Sequence, residues 1–383
     1  MPLHFDIKDY LQRRNHLIEL MNRKGIDGML IFRQESMYYL TGYDTFGYVF
    51  FQCLFMDKDG KLILLTRVPD LRQAQNTSII EDIRIWVDEP EANPALQLKG
   101  ILQECGCEGK RLGVEYDSYG LTAKNGKMLD NALDGFCELS DASGMVNLLR
   151  VVKSPEELVY IRRAAELADD ALDEAHRLVK AGCDEGDLLA AMQGAVFRGG
   201  GDYPGNEFII GSGENALLCR YFSGRRKLDS EDQITLEWAG TYRHYHAAMM
   251  RTIPVGKVKK KQLKMHNVCL ESMEACESVL RPGSAIGEVF DAYARTCDNS
   301  GMKAHRLNAT GYSMGTTFSP NWMDWPMFYQ GNQVIAEKNM VFFLHIILMD
   351  SDSEVAMCLG HTVLVTDSGC ERLSRHPLDL VVR

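Results

Sequence analysis

Apolar and polar positions follow two different rhythms along this chain, and the change falls near residue 152. Before it, short strand-like runs alternate with helical stretches. Residues 17–24 close a helical pattern, and 28–32 (GMLIF) form an unbroken apolar run of strand length. Residues 48–55 and 62–65 flank Asp57-Lys58-Asp59-Gly60, a polar, glycine-ended sequence that predicts a hairpin. Another short strand is predicted at 111–115 (RLGVE). Alternation of this kind predicts an α/β domain over residues 1–152.

The second rhythm begins at residues 148–153 (LLRVVK), which run into Ser154-Pro155-Glu156-Glu157. A serine, a proline at the first helical position and acidic residues in the first turn mark a helix start. Leu158, Ile161, Ala165, Ala168, Leu172, Ala175 and Val179 then recur at helical spacing towards Gly182. Further on, residues 233–255 hold two apolar runs around Gly240-Thr241-Tyr242. Residues 340–349 and 356–366 flank the polar turn Asp350-Ser351-Asp352-Ser353. These predict hairpins of a strongly curved antiparallel sheet, so 153–383 is expected to be a second domain and the whole chain α+β. No short-period repeat or low-complexity tract interrupts the pattern.

Composition narrows the function. The 383 residues are 45% apolar and 25% charged, ordinary for a globular protein, with a formal net charge of −11. That acidity argues against nucleic acid or an anionic membrane as the main partner. The one basic run, 257–261, reads as a solvated loop or helix start. The first residues lack the apolar core of a signal peptide, and no apolar run approaches the roughly 18 residues of a membrane helix. Eleven scattered cysteines without a CxxC pair read as reduced thiols, so a cytoplasmic protein is expected.

The candidate chemistry lies in five landmarks. The glycine-rich stretch 199–205 lacks the context of a nucleotide loop and is read as a plain loop. Its continuation is Ser212-Gly213-Glu214-Asn215-Ala216, followed by Arg220-Tyr221. Then come Glu237-Trp238-Ala239-Gly240 with Met250-Arg251-Thr252-Ile253-Pro254-Val255-Gly256, then Gly311-Tyr312-Ser313-Met314-Gly315. Asn339-Met340-Val341-Phe342-Phe343-Leu344-His345-Ile346 and Gly360-His361-Thr362-Val363-Leu364-Val365-Thr366 complete the set. With the LLRVVKSPEE linker, this frame resembles the creatinase/aminopeptidase P family. The resemblance implies a creatinase-like N-terminal domain followed by a pita-bread catalytic domain, a curved antiparallel sheet flanked by helices.

The resemblance also implies a place for two metal ions, held by two aspartates, a histidine and two glutamates. Glu237, Ala248, Tyr312, His345 and Gly360 stand at those five positions. Alanine and glycine offer no side-chain donor, so the carboxylates that bridge ions about 3.5–4 Å apart are missing. No metal and no other cofactor is therefore expected; a single ion on Glu237, His345 and His361 is the remaining metal option. Within the family, residues 205–213, 237–252 and the Gly360-His361-Thr362 ending are most similar to the ectoine hydrolases. That likeness implies a metal-independent hydrolase opening the cyclic amidine of ectoine to N-acetyl-2,4-diaminobutyrate. A hydrolase of another guanidino or amidine zwitterion resembling creatine, and a non-catalytic binding protein on a degenerate peptidase fold, are the alternatives.

An amidinium carbon is already electrophilic, because its positive charge is shared by two nitrogens, so metal polarisation is not needed. Glu237 is the expected nucleophile or general base; the competing reading pairs it with a structural cation such as Arg251. His345 and His361, on neighbouring strands, are expected to move protons within one cavity. His244 and His246 are weaker candidates for site contact. Arg220 stands where the family carries a substrate-contacting histidine and is expected to hold the substrate carboxylate, with a surface or dimer ion pair as the alternative. Tyr312, Trp238, Tyr221, Trp322 and Trp325 are expected to line the substrate, the aromatic rings facing its cation; core packing competes at each. The family likeness further implies a homodimer, with residues 39–48 reaching the neighbouring subunit, a small zwitterionic substrate and a downstream deacetylase as partner.

Overall fold

The computed structural model describes residues 3–220, 224 and 226–383. The chain divides into two compact units, Met1–Arg150 and Val151–Arg383.

The first unit is a six-stranded sheet with helices on both faces. Its strands are β1 (Gly28–Ile31), β2 (Cys53–Asp57), β3 (Leu62–Arg67), β4 (Asp82–Trp86), β5 (Arg111–Val114) and β6 (Glu138–Asp141), in the order β4-β3-β2-β1-β5-β6. Its helices are α1 (Ile7–Lys24), α2 (Gln34–Thr41), α3 (Val68–Thr77), α4 (Pro94–Glu104), α5 (Ala123–Leu133) and α6 (Met145–Arg150). The apolar run at 28–32 serves two cores at once. Leu30 and Phe32 join Phe55, Ile63, Leu112 and Val114 on one side. Met29 and Ile31 join Leu54, Met56 and Leu64 on the other. A strand covered on both faces needs no polar alternation. The β2–β3 hairpin turns as expected: Asp57 Oδ1 accepts from the backbone N–H groups of Asp59 (2.9 Å) and Lys61 (2.8 Å), and Gly60 takes φ +86°. Its first strand starts at Cys53 rather than residue 48. Thr45 Oγ1 accepts from Gly47 N–H at 2.8 Å and turns the chain into a 3-10 segment, Gly47–Val49, that no strand can share.

The second unit opens with α7 (Pro155–Leu178), whose Ser154–Glu157 capping box forms as the sequence predicts. It continues with α8 (Glu185–Arg198), α9 (Lys260–Val279) and α10 (Ile286–Asn299). The basic run leads into the start of α9. The strands are β7 (Ile209–Ser212), β8 (Asp232–Tyr242), β9 (Tyr245–Val255), β10 (Gly311–Ser313), β11 (Asp324–Met327), β12 (Val341–Asp350), β13 (Val355–Val365) and β14 (Cys370–Arg372). They form one curved, wholly antiparallel sheet in the order β11-β10-β12-β13-β9-β8-β7, with β14 on β13. Alternation assigns its two faces. Phe342, Leu344, Ile346 and Leu348 of β12 meet Met357, Leu359 and Val363 of β13 under Met265, Val268, Cys269 and Met273 of α9. The intervening residues of β12 point to the opposite face, which carries the candidate site.

The β8–β9 hairpin departs from expectation in an informative way. Its turn is Arg243-His244, both at positive φ (+50° and +64°), and not Gly240. Gly240 lies within β8, paired with Ala247. There α7 comes so close that a Cβ on residue 240 would sit 1.9 Å from the Ala164 carbonyl oxygen and 2.4 Å from the Ala168 nitrogen. Glycine is needed for helix approach, not for the turn. Gly240→Ala must push α7 off the sheet, and we expect a loss on the order of 1–3 kcal/mol in denaturant titration. A midpoint equal to the wild type would remove this account of Gly240.

Candidate active site

The register of the second sheet gathers residues far apart in sequence. Glu237 of β8 lies opposite Met250 of β9, Met250 opposite Gly360 of β13, and Gly360 opposite His345 of β12. Next to this row, Ala239 faces Ala248, and Phe343 faces both Thr362 and Tyr312. Directly opposed residues share a face, and so do residues two apart. Glu237, Ala248, Tyr312, His345 and Gly360 therefore all belong to the face away from the helices.

The donor set on that face does not fit a metal pair. Position 248 offers a methyl group. At position 360 a Cβ would lie 2.8 and 3.0 Å from the edge of the Phe343 ring and 3.1 Å from the Cβ of His345. The Phe343 ring thus fills the space into which a carboxylate at 360 would extend. Tyr312 Oη is engaged elsewhere. It accepts from Trp322 Nε1 at 2.8 Å, and its hydroxyl favours the ionised form of Glu237. Among the described residues, no group of three His, Cys, Asp or Glu side chains is arranged to hold an ion.

What the face does hold is a buried carboxylate with a matched environment. Glu237 is 8% exposed. Burial lifts its pKa from 4.5 to about 7, while the positive charge of Arg220 and the Tyr312 hydrogen bond pull it back down. Arg251, considered from the sequence as its structural partner, points to the other face and donates to the carbonyls of Met250 and Gly360. His345 is pushed down to about 4, first by burial, so its imidazole is neutral at pH 7. Its ring packs edge-on to Tyr312 (5.8 Å between centroids) and tilted on Phe343 (5.2 Å). Its Nδ1 is buried with no hydrogen-bond partner among the described residues.

Arg220 is exposed, and its charge reaches Glu237. The fully buried Glu185 accepts from the N–H (2.8 Å) and Oγ (2.6 Å) of Ser212, and from the N–H groups of Gly224 (2.9 Å) and Arg226 (3.2 Å). One carboxylate thereby ties together both ends of the segment bearing Arg220. Arg226 Nη1 reinforces the tie through Ser212 Oγ (2.8 Å) and Asp232 Oδ2 (2.5 Å). Sequence reasoning missed Glu185. It directly follows the helix cap Asp184, where acidic residues are ordinary, and nothing in the sequence marks it as facing inward.

Several expected site residues lie elsewhere. His361 is corrected: it faces the helices, its Nε2 2.8 Å from Glu277 Oε1 of α9, with Arg372 on the same carboxylate. The single-ion set of Glu237, His345 and His361 fails for the same reason. Trp238 is also corrected; it is fully buried on the helix side and donates from Nε1 to the Ala168 carbonyl at 2.9 Å. Trp322 is 1% exposed with its N–H committed to Tyr312, so it serves Tyr312 rather than offering an open ring. Trp325, on β11, is 39% exposed. His246 is wholly buried and held near 3 by burial; Gly205 N–H donates to its Nε2 (2.8 Å), and Nδ1 meets Thr317 Oγ1 (3.1 Å). His244 stacks on Phe318 at 4.1 Å. Tyr221 lies outside the described residues. Phe343 was overlooked because a phenylalanine in an apolar run carries no sequence signal beyond core.

Known proteins share this architecture. The chain matches the model of metallopeptidase family M24 over residues 159–367 and that of the creatinase/prolidase N-terminal domain over 13–152. It is 26% identical to an ectoine hydrolase from Halomonas elongata, with 100% of this chain and 99% of that protein covered. Identity to an Xaa-Pro dipeptidase from Pyrococcus furiosus is 22%, covering 97% and 99%. Among solved structures, a prolidase from Thermococcus sibiricus superposes with a TM-score of 0.88 at 20% identity, covering 98% and 99%. An X-Pro aminopeptidase from Thermotoga maritima gives 0.85 at 19%, covering 97% and 99%. The fold is that of the pita-bread hydrolases, and the chain belongs to metallopeptidase family M24, with a creatinase/prolidase N-terminal domain.

Proposed function

We propose that this protein is a metal-independent hydrolase that opens a small cyclic amidine bearing a carboxylate, with ectoine as substrate and N-acetyl-2,4-diaminobutyrate as product. The observation that carries this reading is Glu237: a buried carboxylate beside Tyr312 and within reach of the Arg220 charge, on a face whose other metal positions hold Ala248, Tyr312, His345 and Gly360, with the Phe343 ring filling the space beside Gly360. The full-length likeness to a protein named ectoine hydrolase supports the choice of substrate.

The amidinium carbon needs an oxygen nucleophile and a proton for the departing nitrogen. Glu237 attacks that carbon itself or takes a proton from the water that does. Water supplies the new C–O bond, one ring C–N bond breaks, and the carbon stays on the other nitrogen as an acetyl group. Both protons of that water end on the released nitrogen, which leaves as an ammonium group. His345, neutral with Nδ1 open, relays them, since a neutral imidazole both accepts and donates. Arg220 takes the substrate carboxylate in a bidentate grip. A second copy of the chain, as a homodimer, and a deacetylase acting on the product remain the proposed partners.

Metal-stripped protein incubated with ectoine and followed by mass spectrometry tests the reaction directly. We expect a gain of one water, insensitive to chelator; failure on ectoine with turnover of creatine would move the assignment to a guanidino substrate. Glu237→Gln is expected to lower kcat/KM by about 10³-fold, the scale of a lost acid–base or nucleophilic group.

The pH dependence has a defined sign. Activity needs the carboxylate, so it rises with pH through about 7. Arg220→Gln removes a charge that favours the carboxylate, so the inflection moves upward, and KM for ectoine rises. Stability runs the other way. Unfolded, Glu237 ionises near 4.5, whereas folded it holds its proton to about 7, so its burial costs stability as pH climbs through that window. Glu237→Gln removes that cost and should stabilise the protein at pH 8 relative to pH 4, by an upper limit on the order of 3 kcal/mol. Equal melting shifts at both pH values would show that Glu237 is not buried as a carboxylate.

A further inference from the structure

Trp322 lies in the connection between β10 and β11, and its indole sits behind the residue that hydrogen-bonds Glu237. The connection is held against the body of the domain by contacts independent of the indole. Trp322 N–H donates to Asn206 Oδ1 at 3.3 Å. Gly205 packs so tightly on it that a Cβ there would come within 2.8 Å of the Asn321 carbonyl and 2.9 Å of the Trp322 nitrogen. Gly205 is itself tied to β9, through its N–H donated to His246 Nε2. His246, which has no place in the chemistry, thus supports the loop on which Trp322 rests.

The direction of the next bonds follows from donor inventory. An indole N–H only donates, a phenol has one proton, and a carboxylate only accepts. Trp322 Nε1 donates to Tyr312 Oη at 2.8 Å, so Tyr312 cannot turn its proton back along that line. The carboxyl group its hydroxyl acts on is that of Glu237, on the same face of the sheet. Trp322 and Tyr312 are both buried, which strengthens the bond between them.

We propose that Trp322 is a positioning residue: its anchored indole N–H commits the Tyr312 proton to Glu237, which orients that carboxylate and leaves its other oxygen to react. The proposal rests on the reading of Glu237 as the reacting group, but its test does not need turnover.

Trp322→Phe keeps an aromatic ring and removes the N–H. Infrared difference spectra against Glu237→Gln in the same background follow protonation of this one carboxyl group across pH, without substrate. We expect the midpoint to rise by about half a pH unit in Trp322→Phe and further in Tyr312→Phe, with no added shift in the double variant. Trp322→His, which keeps a ring N–H, should return part of the shift. With ectoine, Trp322→Phe should lower kcat about tenfold with KM nearly unchanged. An unmoved midpoint in Trp322→Phe, or an equal shift when Tyr312 is already Phe, overturns the proposal. If Trp322→Phe loses its near-ultraviolet circular dichroism, Gly205→Ala takes its place: it displaces the Trp322 backbone and must raise the same midpoint, and no change there overturns the proposal. Absence of turnover in the wild type would remove the proposed reaction while the infrared result still decides the role of Trp322.

Discussion

A carboxylate buried on a sheet face is costly, and the site is organised around offsetting that cost. Glu237 has a hydrogen bond from Tyr312 and the positive charge of Arg220 to favour its ionised form, against burial that disfavours it. The balance leaves its pKa near neutrality, where a carboxyl group both takes and releases a proton. Each supporting group needs support of its own. Trp322 serves Tyr312, and Glu185 ties the ends of the segment that carries Arg220.

Set against the metallopeptidase family to which the chain belongs, the difference is one of volume as well as charge. A missing donor at 360 is not an empty space, because the Phe343 ring fills it. Aromatic and imidazole rings at 312, 343 and 345 pack against each other over the positions that ligands would take. One carboxylate among these rings leaves too few hard oxygen donors for a hydrated divalent ion, which demands several.

Much of the fold was legible because it rests on short-range rules. The Ser154–Glu157 capping box, the Asp57–Gly60 hairpin and the polar turn after β12 each depend on a few adjacent residues. The β8–β9 turn was misplaced because Gly240 is a glycine for a tertiary reason, the approach of α7. His361 and Trp238 were misassigned although the information was present. Each neighbours a site position, Gly360 and Glu237, and strand alternation sends adjacent side chains to opposite faces.

By itself the sequence determined the kind of residue at each landmark: a glutamate at 237, no donor at 248 or 360, a tyrosine at 312 and a histidine at 345. It also determined the two-part architecture through capping, turn chemistry and apolar rhythm. Only the tertiary structure decided which of those residues meet, that Phe343 occupies the space beside Gly360, and that Trp322 donates to Tyr312. The physical reason is range. Propensity and alternation act within a few residues, whereas packing volume and hydrogen-bond direction depend on groups brought together across strands distant in sequence.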